Sequence, residues 1–134
     1  MNFSYLLKHW FATLTLAPII SEVINLLFIP NSNKILGLLE VYPITIIFGF
    51  IFSIPTYIIY YLAYYLLARK NVNIKTSKLI LITLAVIGII VSFSITFNNR
   101  EPEITTAYVF TSIITGLFFK LNFSEINDHN KPYN

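Results

Sequence analysis

One carboxylate stands inside an otherwise uncharged apolar run long enough for a membrane-crossing helix. Glu22 lies two residues, about 3 Å at helical rise, from the midpoint of the run 11–29. A charged side chain there costs at least about 2.5 kcal/mol in hydrocarbon, so it must face protein or water, find a partner, or take up a proton. Asn25 follows about one turn later, and Pro18 precedes by one turn and frees the carbonyl of Leu14. Pro18, Glu22 and Asn25 therefore form a polar, distorted stripe that should face the interior of a bundle. Its chemistry would be that of a proton, cation or substrate site. The structural alternative is a carboxylic acid that bonds a neighbouring hydroxyl and fixes packing.

The stretch Ser21-Glu22-Val23-Ile24 resembles the first helix of the small multidrug-resistance exporters, in which an intramembrane glutamate exchanges protons for cations. The likeness covers four residues. The third apolar run has no Gly-x-Gly motif, and the charge asymmetry described below opposes the antiparallel dimer that family can form, so membership is not assigned.

Three other constellations could do work. Ser53, Tyr57, Tyr60, Tyr61, Tyr64 and Tyr65 fall within roughly 140° of a helix at 100° per residue. Such a face could cage a cation or form an oligomer seam, but tyrosine is also an ordinary residue of membrane interfaces. Gly88, Ser92 and Thr96 recur at every fourth position, with Ala85 on the same side. Thr105, Tyr108, Ser112, Thr115 and Gly116 share one face of the last apolar run. Small residues at this spacing are what closely packed membrane helices use. Pore lining by the same hydroxyls is the second reading, and it requires that they point at Glu22.

Other chemistries find no support. His9-Trp10 reads as an interfacial anchor, and His129 lies 120 positions away, so no metal-ligand set is expected. The chain has no cysteine, which excludes disulfides and thiolate chemistry. A Ser/His/Asp arrangement is not visible either, so neither catalysis nor a cofactor is expected. Arg69, Lys70, Lys75 and Lys78 form a short basic loop whose ordinary role is topological, and nucleic acid is not an expected partner.

The elements that must position these residues follow from composition. The 134 residues are 56% hydrophobic and only 11% charged, with the charges bunched between apolar stretches. Soluble domains carry roughly a quarter charged residues. Four uncharged runs approach the roughly 20 residues that cross a bilayer core, at about 11–29, 41–68, 79–97 and 104–119. They lack the alternation of barrel strands, so the expected fold is an all-α membrane protein: a single transmembrane domain, a four-transmembrane-helix bundle, with a polar tail 122–134. The second run is too long to cross upright, and Pro55 near its middle predicts a kink.

Seven of the nine basic residues fall on one side of such a bundle, leaving Lys34 and Arg100 on the other. The positive-inside rule then puts both termini and the loop 69–78 in the cytoplasm. The expected place is a bacterial inner membrane, crossed several times. The expected role is non-enzymatic: association through helix faces with another copy or with a larger membrane or cytoplasmic partner, of accessory, regulatory or immunity type. The alternative is a small proton- or cation-coupled transporter or oligomeric pore using Glu22.

Overall fold

A computed structural model of the protein describes residues 4–28, 35–70, 72–97 and 102–121. Among them the secondary structure is entirely helical: α1 (Ser4–Phe28), α2 (Ile35–Arg69), α3 (Ile74–Phe97) and α4 (Pro102–Phe118). All four expected helices are present, and each except α4 starts five or more residues earlier than its apolar run. Charge marks where a helix meets water, whereas capping chemistry decides where it begins. Asn73 shows the difference. Its side-chain oxygen accepts from the Lys75 amide at 3.0 Å and its carbonyl from the Ser77 amide at 2.8 Å, so α3 starts at Ile74, ahead of Lys75 and Lys78. Pro102 opens α4 where its missing N–H is not needed, and Glu103 lies in the positive first turn. Helix α2 runs unbroken through Pro43 and Pro55.

The helices pack in ring order. α1 lies against α2 and α4, and α3 completes the ring against the same two, while the backbones of the diagonal pairs do not approach. Side-chain pairings give the directions. His9 meets Tyr60 and Tyr42 meets Thr15, so α1 and α2 run oppositely. Tyr5 meets Gly116 and His9 meets Ser112, so α4 also runs opposite to α1, and Lys78 meets Leu117 while Phe93 meets Tyr108, so α3 runs opposite to α4.

Two clusters fill the interior. Tyr5, Leu6, Tyr60, Tyr64, Leu81 and Leu121 close one end, and Leu14, Ala17 and Tyr108 occupy the middle. The outside is apolar: Ile47, Ile51, Ile58, Ile59 and Leu62 of α2 and Leu79, Ile87 and Ile95 of α3 are each more than half exposed. Helices α2 and α3, over Tyr42–Arg69 and Ile74–Thr96, are long and apolar enough to cross a membrane, and almost none of that length is buried.

Candidate functional site

The interior polar chemistry gathers on α1 at Tyr5, His9 and Thr13, which recur every fourth residue and so form one stripe. His9 is 2% exposed. Its Nε2 lies 2.9 Å from the Ser112 carbonyl, which can only accept, so Nε2 carries the proton. In the neutral ring Nδ1 then accepts, and the Tyr60 hydroxyl donates to it at 2.6 Å. One imidazole thus ties α1 to α2 and α4 in a fixed tautomer. One turn below, Tyr5 donates to the Gly116 carbonyl at 3.1 Å. One turn above, the hydroxyls of Thr13 and Thr115 lie 3.0 Å apart.

The stripe also caps α4. A helix leaves its last carbonyls without intrahelical partners. Here Gly116 is met by Tyr5, Leu117 by the Lys78 ammonium at 2.6 Å, and Thr115 by the Phe119 amide. The cation from α3 also sits at the negative end of the α4 dipole. Gly116 must be small: a Cβ would stand 2.6 Å from Ile82 Cγ1 and 3.2 Å from His9 Nε2.

Beyond His9 the four helices surround a cavity of about 620 Å³. It reaches from Tyr60 to Ile44 along α2, about 24 Å at 1.5 Å per residue. Its walls are mostly apolar and aromatic. Trp10 stacks on Tyr57 with ring centroids 4.4 Å apart, and its indole N–H donates to Ser53 at 2.9 Å. Phe48 and Phe52 line the cavity and are also exposed outside, so it reaches the surface beside α2. A second, shallower hollow of about 790 Å³ lies along the outer α2–α3 seam, between Ile59, Ile87 and Ile95 and over Gly88 and Ser92.

The structure places the expected site residues unevenly. Glu22 is half-buried and Pro18 buried, but neither lines the central cavity, whose α1 wall runs from His9 to Leu14. The side chain of Asn25 lies outside the described residues. The tyrosines divide: Tyr60 and Tyr64 are buried in the core, Tyr57 is half-buried against Trp10, and Tyr61 is 41% exposed. Gly88 and Ser92 meet Thr56 across the α2–α3 seam. On α4, Tyr108, Ser112 and Gly116 are buried and Thr105 half-buried. On that face Ser112 and Thr115 meet His9 and Thr13, Gly116 accepts from Tyr5, and Tyr108 packs with Leu14 and Ala17.

The anchoring role expected for His9 is replaced by a buried cross-helix bond, because its partners lie 51 and 103 positions away and leave no local trace. The available signal was the four-residue recurrence of Tyr5, His9, Thr13 and Ala17. Among the described residues no three metal-ligating side chains come together. Comparison with known protein families, with curated proteins and with solved structures finds no match for this chain.

Proposed function

We propose that the chain is a four-span integral protein of a bacterial cytoplasmic membrane that works without chemistry of its own, by lateral association through the outer α2–α3 seam. Both termini and the α2–α3 turn lie in the cytoplasm in this reading, as the basic residues require. Lipid covers most of the exposed isoleucine, leucine and phenylalanine. The observation that carries the association is the hollow over Gly88. Gly88 and Ser92 already meet Thr56 beneath it, so what it offers a second helix is an open apolar groove flanked by Ile59, Ile87 and Ile95. The occupant is a transmembrane helix of a second copy or of a larger membrane protein.

Transport through Glu22 receives less support, since its chain position is about 12 Å along α1 beyond Leu14, the last residue of α1 to line the central cavity.

The absence of native cysteine makes the test clean. Ile59→Cys, Ile87→Cys and Ile95→Cys, treated in native membranes with a short bifunctional thiol- and photo-reactive reagent, are expected to give a discrete larger adduct. Phe110→Cys and Phe118→Cys, exposed on α4, are expected to give none. Equal or absent adducts at both sets would remove the seam as an interface.

A further inference from the structure

The central cavity shares Phe52, Thr56, Ser92 and Thr96 with that seam but extends inward to α1 and α4, where it has a chemistry of its own. Tyr108 is 4% exposed, and its hydroxyl bonds to no described residue. Every fully enclosed side-chain nitrogen or oxygen among the described residues has a partner, so the Tyr108 oxygen faces the open cavity that this residue lines. It is held there. Its ring packs on Phe93 with centroids 4.9 Å apart, and a Cβ on Gly49 would stand 3.5 Å from the hydroxyl. Several neighbouring polar groups are already engaged: both His9 nitrogens, the Trp10 N–H with Ser53, Thr56 with Ser92, and Tyr42 with the Thr15 carbonyl.

We infer that this cavity is a binding site for a neutral, membrane-dissolved lipophile that carries a carbonyl or hydroxyl oxygen, bonded by Tyr108. The volume falls within the 300–1,000 Å³ of small-molecule sites, which typically pair an apolar lining with a few fixed polar groups. An apolar cavity excludes water and accepts an apolar guest. Among the described residues the lining holds no carboxylate, lysine or arginine, which selects an uncharged ligand. The phenyl rings of Phe48, Phe52 and Phe93 in the lining suit a flat or unsaturated body. Entry is lateral, past Phe48 and Phe52, where a molecule dissolved in lipid would arrive. Two sources share this chemistry, an isoprenoid-type quinone and the ester of an acyl lipid.

Trp10 is the chain's sole tryptophan and lines the cavity, so it reports occupancy directly. The purified full chain in maltoside micelles is titrated with decyl-benzoquinone in one arm and with a dibrominated monoacylglycerol in the other, both of which quench tryptophan on contact. Saturable quenching in at least one arm is expected, and the arm that saturates identifies the source. Tyr108→Phe keeps the ring and should weaken binding about five- to tenfold, the loss of one hydrogen bond. Gly49→Leu fills the cavity and should abolish saturation while circular dichroism stays helical. Quenching that stays linear in the wild-type chain, or that Gly49→Leu leaves unchanged, overturns the site. Equal affinity in the wild type and Tyr108→Phe overturns the oxygen-bearing class.

Discussion

Replacing Gly88 by alanine tests the α2–α3 seam where it is tightest. A Cβ built on Gly88 lies 2.1 Å from Thr56 Cγ2, with Thr56 Oγ1 at 3.0 Å and Thr56 Cβ at 3.1 Å. The obstacle is not the loose end of a long side chain. Thr56 is β-branched and stiff at χ1, and its hydroxyl is engaged with Ser92 at 3.3 Å. The two helices must therefore separate or the Thr56–Ser92 contact must break. Overpacking of this kind costs about 1–3 kcal/mol, against about 1 kcal/mol gained from alanine's better helix propensity. Gly88→Ala should thus lower stability by up to about 2 kcal/mol in the wild-type background. Thr56→Ser deletes the atom at 2.1 Å and leaves the two near 3 Å. In that background the same substitution should become neutral or stabilising, with a coupling of at least about 1 kcal/mol. Reversible unfolding in mixed micelles with increasing dodecyl sulfate, followed by circular dichroism, measures all four corners of the cycle. Additivity within about 0.5 kcal/mol would refute the argument, since it would mean that Gly88 and Thr56 do not share a contact.

Two further outcomes follow from the interior. His9→Phe keeps a ring but strips the acceptor from the Tyr60 hydroxyl, and should lose about 1–3 kcal/mol in the same unfolding assay. His9→Gln, with both an acceptor and a donor, should lose less than half as much, and equal losses would show that ring volume, not bonding, is what α1 supplies. Glu22→Gln should leave lipophile quenching of Trp10 unchanged, because the residue is absent from the cavity lining, and any resolved weakening would bring Glu22 into the site.

The number of helices was readable in the sequence because it depends on a property every stretch carries locally, the length of an uncharged apolar run. Their starts were less readable. Charged residues in 74–78 looked like a boundary, yet they belong to α3 because Asn73 caps it. The tyrosine face spans about 140° of α2 in the sequence, and the structure divides it. Tyr60 and Tyr64 lie one turn apart and face inward, whereas Tyr61 and Tyr65, one position on, rotate by about 100° and stand 41% and 40% exposed. For the site itself, Glu22 is the conspicuous residue in the sequence, an acid amid apolar neighbours. His9 was inconspicuous because its setting at the end of an apolar run suits an interfacial side chain equally well. Only the pairing of α1 with both α2 and α4 separates the two readings.

The hydroxyl-rich faces illustrate a second ambiguity, and it bears on the cavity. Threonine can satisfy its own hydroxyl by donating to the carbonyl one turn back. Thr13, Thr15, Thr96, Thr106, Thr111 and Thr115 all do so, to His9, Phe11, Ser92, Pro102, Ala107 and Thr111. A stripe of threonine therefore looks like a water path in the sequence while most of its donors are already spent within its own helix. Tyrosine has no such recourse, because its hydroxyl stands too far from its own backbone and must find a partner on another element. Tyr5 finds Gly116, Tyr42 finds Thr15 and Tyr60 finds His9. Tyr108 is as deeply buried as Tyr60 and meets no described partner. With these threonines bonded at home and Tyr5, Tyr42 and Tyr60 bonded across helices, the Tyr108 hydroxyl is left available to a guest.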